Sequence, residues 1–263
     1  MTGAIWLIGG TQESRWIAQL IVCQGFPCWV SVTTAAACHL YDAHPLLSCH
    51  IERLTPERAR EFIEQHSIQA VVDASHPFAV AISALAIAIS QEFGLPYLRF
   101  ERPAFPPALG IYTDLPTLLQ GDLLMGERVL LTLGVKHLAA FAPLQRQATL
   151  FARILPTTSA LEAALAAGFD RQRLIAIFPP VSRELERALW QQWQITTVVT
   201  KASGTESEQI KQTLARELGV KLITLQRPAL VYPRQTSDRA GIEAFLQELA
   251  TSKQSDQSLP PDY

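Results

Sequence analysis

The chain has 263 residues, with 22 Lys and Arg against 24 Asp and Glu for a formal net charge of −2, and 48% of it is hydrophobic. That balance excludes the strong basic excess of a nucleic-acid-binding surface, and the apolar content excludes a chain too polar to build a core. Glycine is scarce at 13 residues, so any phosphate-cradling turn is used sparingly.

The opening MTGAIWLIGG carries no basic segment or cleavage site and reads as a buried strand at Ala4–Ile8, not a signal peptide. A Gly9-Gly10-Thr11 turn follows, then a helical pattern from Gln12 to Cys23 with Ile17, Leu20 and Ile21 on one face. Cys28–Val32 is a second strand. After an irregular stretch, Thr55 as cap and Pro56 in the first turn start a helix to about His66. Ala70–Asp73 is a third strand. It leads through Ser75-His76-Pro77 into an apolar helix ending near Phe93, and Tyr97–Phe100 is the next strand. The longest apolar run, Phe78 to Ile89, is too short to span a bilayer.

The second half repeats the plan. Val129–Leu133 is a strand ending at Gly134, with a short helix to Phe141, a strand at Leu150–Ile154 and a helix at Ser159–Ala167. Leu174–Phe178 is a strand entering Pro179-Pro180, and a helix follows from Ser182 to Trp193. Strand Thr196–Thr200, helix Ser207–Leu218 and strand Lys221–Leu225 come next, and Ser237 caps a last helix to about Ala250. Strands alternating with helices at this pitch predict parallel βαβ units.

GLPYLRFERPA at Gly94–Ala104 and GVKLITLQRPA at Gly219–Ala229 share their glycine and Arg-Pro-Ala at an offset of 125, which also carries Gly9 onto Gly134. Val71-Val72 before Ser75-His76-Pro77 matches Val198-Val199 before Ala202-Ser203-Gly204. The expected fold is therefore α/β: two Rossmann-like parallel-sheet halves related by internal duplication, with a cleft between them. The domains are expected at residues 1–126 and 127–250, followed by a disordered tail at 251–263.

Cys23, Cys28, Cys38 and Cys49 lie in the first fifth of the chain without CxxC spacing, so no secreted disulfide framework is expected and the cytoplasm is the expected compartment. Cys38, His39, Asp42, His44, Cys49 and His50 crowd together, but not at zinc spacings; a loop of polar residues and half-buried thiols is expected, with no metal.

Strand–Gly9-Gly10-Thr11–helix suits a dinucleotide phosphate, with backbone N–H groups and a helix N-terminus aimed at it. Thr11 offers a hydroxyl donor, small Ser14 permits close helix–strand packing, and Gln12 opens the helix; the alternative is an ordinary tight turn. Ser31-Val32-Thr33-Thr34 ends the second strand without an acidic residue, which suits a ribose 2′-phosphate and hence NADP; these hydroxyls alternatively cap a turn. Ser75, His76 and Pro77 sit just past a strand, where ligands of such sheets bind, and Lys201, Ser203 and Gly204 occupy the equivalent turn of the second half, where lysine and backbone suit an anion.

GGTQES at Gly9–Ser14, DASHPFA at Asp73–Ala79, YLRFERPAF at Tyr97–Phe105 and TKASG at Thr200–Gly204 together resemble the precorrin-6A reductase family of cobalamin biosynthesis, over nearly the whole chain except the tail. The Ile177-Phe178-Pro179-Pro180 turn departs from the family's pattern. The resemblance implies NADPH-dependent reduction of one carbon–carbon double bond in a carboxylated corrin precursor, in its metal-free or cobalt form. Cationic and polar candidates for that substrate are Arg102, Lys136, Lys201, Ser203, Gly204, Arg227 and Tyr232, with Arg99, His137 and Arg234 near other strand ends. His76 and Lys201 are candidate proton donors. No nucleic acid, membrane or obligate protein partner is expected. The same features also suit a non-enzymatic NADP-binding sensor.

Overall fold

A computed structural model describes residues 3–105 and 110–257. The chain opens with β1 (Ala4–Ile8), α1 (Gln12–Cys23), β2 (Cys28–Val32), α2 (Ala35–Cys38), β3 (Leu47–Ile51), α3 (Pro56–Gln65), β4 (Ile68–Asp73), α4 (Val80–Glu92) and β5 (Tyr97–Phe100). It continues with β6 (Ile111–Thr113), α5 (Leu115–Gln120), β7 (Arg128–Leu131), a 3₁₀ run at Val135–Arg146, β8 (Thr149–Ile154), α6 (Thr158–Ala166) and β9 (Leu174–Ala176). Then follow α7 (Arg183–Gln192), β10 (Thr197–Lys201), α8 (Glu206–Leu218), β11 (Lys221–Leu225), β12 (Gln235–Thr236) and α9 (Arg239–Gln257).

The strands form two six-stranded sheets, ordered β3-β2-β1-β4-β5-β12 and β9-β8-β7-β10-β11-β6, and every pairing is parallel. Both follow the doubly wound order, so the expected α/β duplication is present as two copies of one topology. In the first sheet β1 alternates between its faces. Ile5 and Leu7 join α1 and α9 residues in one apolar cluster, while Trp6 and Ile8 join Phe62 and Ile89 in another.

The sixth strand of each sheet arrives from the other half of the chain. β6 follows β5 in sequence but pairs β11, and β12 follows β11 but pairs β5. The two junctions correspond: Glu101 N–H donates to the Thr236 carbonyl at 2.8 Å, and Gln226 N–H to the Thr113 carbonyl at 2.9 Å. Each exchanged strand leads into a helix capped by an aspartate. Asp114 accepts from Thr117 N–H at 2.8 Å, and Asp238 accepts from Gly241 N–H at 2.8 Å.

This exchange corrects the linear domain boundary. The chain divides into one unit of Met1–Pro103 with Ala229–Tyr263 and another of Ala104–Pro228, instead of parting at residue 126. The physical reason is α9: its Ile242, Phe245, Leu246 and Leu249 pack with Ile17, Leu98 and Phe100 of the first unit. The tail is likewise helical through Gln257 rather than disordered from residue 251, and residues 258–263 lie outside the described residues.

The unexpected strands are short and lie at edges. β3 is half exposed and has no clean alternation, while β6 and β12 have three and two residues. The expected short helix after Gly134 is a longer 3₁₀ run whose buried side chains, Leu138, Phe141 and Leu144, recur every third residue. Among the described residues no helix is long and apolar enough to cross a membrane.

Phe245 is 2% exposed. Phe245→Ala should destabilise the first unit by about 3–5 kcal/mol in urea unfolding. If α9 were an independent appendage, the substitution would leave the transition unmoved.

Candidate active site

The β1–α1 turn is held from behind. Thr11 caps α1: its hydroxyl accepts from Ser14 N–H (3.1 Å) and donates to the Ala74 carbonyl (2.8 Å), so its proton is already committed and is not offered to a ligand. That bond ties the turn after β1 to the turn after β4. Ser14 is fully buried, and its hydroxyl donates to the Thr11 carbonyl at 2.7 Å. Gly10 has φ +91°, and a side-chain carbon there would meet open space; one at Gly9 would collide with Tyr41 Oη and Val30 Cγ1. Gln12 and Glu13, at the start of α1, do not donate their backbone N–H to a protein acceptor among the described residues.

Several expected cofactor contacts are internal instead. Ser31 Oγ accepts the Trp6 indole N–H at 2.8 Å inside the sheet, which leaves Thr33, exposed beyond β2, as the free-standing hydroxyl of that pair. Ser75 Oγ is buried and accepts from Arg99 Nη1 at 2.9 Å. Pro77 is buried, whereas Gln12 is exposed and His76 half-buried. His76 Nδ1 accepts from Phe78 N–H at 3.2 Å, so the neutral ring carries its proton on Nε2.

Arg99, a candidate substrate cation from the sequence, is 0% exposed and serves a different purpose. Its Nη1 donates to Asp73 Oδ1 (2.8 Å), and its Nε and Nη2 reach Glu101 Oε2 (2.8 Å each). Asp73 also accepts from Tyr97 Oη (2.9 Å) and from Ser75 N–H (3.0 Å). Burial opposes the charge on Arg99, but Asp73 and Glu101 outweigh it and hold the guanidinium pKa above its usual value. Burial, then the Asp73 charge, push the Tyr97 hydroxyl far up, so it stays a donor. The network anchors the Ser75-His76-Pro77 turn. Its sequence signal is an aspartate closing an apolar strand, in register with an arginine that shares its face with Glu101.

Tyr232, expected in the second half, lies in the first unit with its ring 5.1 Å from the Arg99 guanidinium, and burial raises its pKa. Arg102 also belongs to this unit and pairs with Glu13 on the first turn of α1 at 2.8 Å. Arg234 is clamped by Glu248 at 2.6 and 2.7 Å.

In the second unit, Gly134 has φ +74° and opens the turn carrying Lys136 and His137. Lys201, at the end of β10, donates its Nζ proton to the Leu133 carbonyl at 2.7 Å, which brings these cations together. Burial, with Lys136 adding to it, lowers the Lys201 pKa to about 8; burial followed by Lys201 and Lys136 lowers that of His137. Gly204 N–H is taken by Glu208 Oε2 at 2.8 Å, so this turn is not the open anion cradle that its sequence suggested. Ser203 Oγ lies 2.8 Å from Thr205 Oγ1, and Arg227 Nε donates to the Ala202 carbonyl at 2.8 Å.

The crowded segment after β2 holds a disulfide where free thiols were expected: Cys38 and Cys49 are joined, with Cα atoms 6.1 Å apart. Asp42 instead bonds Arg15 and Gln19, and His50 lies 3.0 Å from Glu52. Between the cysteines, Tyr41 accepts from Gly10 N–H at 2.8 Å. Nothing local in the sequence signals that contact, because it joins residues far apart in the chain.

Residues 4–248 match the family described as precorrin-6x reductase CbiJ/CobK. A cobalt-precorrin-6A reductase from Synechocystis is 49% identical over 251 residues, covering 92% of this chain and 95% of the relative. One from Priestia megaterium is 35% identical, covering 87% of this chain and 92% of the relative. The fold is also that of a solved CobK precorrin-6A reductase, with a TM-score of 0.77 at 23% identity over 95% of this chain and 98% of the other.

Arg99→Met leaves the Asp73 carboxylate buried without its cation and should cost about 3–5 kcal/mol in urea denaturation. Adding Asp73→Asn should recover much of that loss. A single-variant loss below about 1 kcal/mol, the scale of an exposed pair, would show that the ion pair does not hold this region.

Proposed function

Because the chain belongs to the precorrin-6x reductase CbiJ/CobK family, we propose that it reduces one carbon–carbon double bond of a carboxylated corrin precursor, taking precorrin-6A or its cobalt form to the 6B form with NADPH as reductant. The Synechocystis and Priestia megaterium relatives are named for the cobalt-containing ring, and we assign that form as the preferred substrate. The observation that carries the proposal is the family match over residues 4–248.

The first unit has the features a dinucleotide requires. The Gly9-Gly10 turn is open on one side, and the Gln12 and Glu13 amides stand at the helix start, where pyrophosphate binds in such folds. Thr33 is exposed beyond β2, and the end of that strand presents no carboxylate to repel a 2′-phosphate. Thr11, Ser31 and Ser75 act as supports, and His76 lies half-buried on the neighbouring turn. When bound, NADPH supplies a hydride, and a proton must be added to the adjacent ring carbon.

Lys201 is assigned that proton transfer, because a pKa lowered to about 8 keeps it protonated at neutral pH yet ready to give the proton up. Lys136 and His137 lie on the turn that Lys201 bonds and suit macrocycle carboxylates; Arg102, Ser203 and Arg227, just past β5, β10 and β11, and Tyr232, before β12, are further candidates on their own units.

Anaerobic turnover with metal-free and cobalt-containing substrate tests the reaction. NADPH should be oxidised with the cobalt ring, and NADH at least about tenfold more slowly. NADPH binding without oxidation by either ring would overturn the reductase reading in favour of a dinucleotide sensor.

Because protonated Lys201 is the active form, kcat/KM should fall as pH rises through about 8. Lys201→Arg, which keeps the charge but cannot titrate there, should lack that limb and turn over slowly. A wild-type profile that stays flat across this range would remove Lys201 as the donor.

A further inference from the structure

The segment between β2 and β3 holds the cofactor turn by a route not used above. Its Tyr41 hydroxyl accepts from Gly10 N–H at 2.8 Å and lies 2.6 Å from Ser14 Oγ, while the side-chain direction at Gly9 points at the same hydroxyl. Tyr41 therefore fixes both glycines of the turn and the first turn of α1 at one atom. Cys38 and Tyr41 rest on the cluster built from β1, α1 and β2.

What keeps Tyr41 there is limited. α2 has four residues, too few to hold a helical conformation alone. The Arg15–Asp42 pair, at 3.1 Å, is exposed on both sides and contributes little. The covalent tie is Cys38–Cys49, which joins the end of α2 to the edge strand β3 and closes the loop that carries Tyr41. Cys49 is exposed and Cys38 partly so, which leaves the bond open to an external thiol.

We propose that Tyr41 is a positioning residue for the NADPH phosphates and that the Cys38–Cys49 bond sets how firmly it is held, so that cofactor affinity follows the redox state of this pair. The inference rests on the reading that the Gly9-Gly10 turn takes those phosphates. In the switching step a dithiol reductant attacks Cys49 Sγ, and its second thiol resolves the mixed disulfide. The reductant becomes a disulfide, and two electrons and two protons convert the bond into two cysteine thiols. The oxidised protein keeps the turn preformed; the reduced protein must order it on binding.

The test is NADPH affinity and steady-state kinetics for wild type, Tyr41→Phe and Cys38→Ser/Cys49→Ser, each oxidised and dithiothreitol-reduced, with alkylation mass spectrometry reporting the thiols. Removing the hydroxyl, and with it the neutral hydrogen bond that holds Gly10 N–H, should weaken NADPH binding by about three- to tenfold in Tyr41→Phe while the macrocycle KM stays unchanged. Reduction should weaken NADPH binding in wild type, and this response should vanish in both variants. A redox response that persists in Tyr41→Phe, equal affinity of the two wild-type states, or Cys38 and Cys49 alkylated alike before and after reduction would each overturn the inference. Gly10→Glu separates the underlying reading: if it binds NADPH as wild type does, the phosphate turn itself is misassigned. If Gly10→Glu loses NADPH while Tyr41→Phe and reduction change nothing, only the role of Tyr41 and the disulfide fails.

Discussion

The first unit depends on the buried Asp73–Arg99 ion pair. Asp73 ends β4 and Arg99 lies opposite it on β5, with the two side chains 2.8 Å apart and out of water. A charge pair so placed survives only if every remaining hydrogen-bonding position is filled, and here each is supplied by an element that shapes the site. Tyr97 and Ser75 complete Asp73, Glu101 completes Arg99, and the Tyr232 ring covers the guanidinium. The Arg99 backbone N–H bonds Arg234, which brings in the exchanged strand. Through Thr11 and the Ala74 carbonyl, the same region is linked to the glycine turn.

The second unit keeps the topology and changes the chemistry. By register, the positions of Asp73 and Arg99 correspond to Thr200 and Thr224, both buried, so a neutral pair replaces the ionic one. The turns after the first and fourth strands are still tied together, but with the donor reversed. In the first unit Thr11 donates across to Ala74; in the second, Lys201, one residue past Thr200, donates back to Leu133. Beside the first arrangement, the Gln12 and Glu13 backbone amides have no protein acceptor among the described residues, and the second brings cationic side chains together. One duplicated scaffold thereby carries two different kinds of turn.

Much of this was legible from local pattern. The bounds of β1, α1, β2 and β5 follow from apolar runs bounded by glycine and proline, because central strands and an amphipathic helix leave a periodic trace. The edge strands β3, β6 and β12 leave almost none, being short and half exposed. The exchange of sixth strands was invisible because it depends on which β edge a segment meets and not on its own residues. The same reason explains why Tyr232 lies in the first unit, and a related one why Ser31 and Ser75 proved to be supports. Their partners, Trp6 and Arg99, are distant in sequence.

The near-zero net charge, 22 basic against 24 acidic residues, hides an uneven local distribution. Arg15, Arg60, Arg99, Arg102, Arg153 and Arg234 each face an acidic partner, so their charge is offset where it stands. At Lys201 and His137 burial and neighbouring cations lower the pKa: Lys136 for Lys201, and Lys201 with Lys136 for His137. Like charges held together in a partly dry turn raise one another's cost and lower the lysine pKa. A carboxylate bound there would relieve that repulsion, so the proposed substrate would gain most while Lys201 still holds its proton. Composition averaged over the chain hides this, because recognition of a polycarboxylate needs a local excess of cations and not a basic protein.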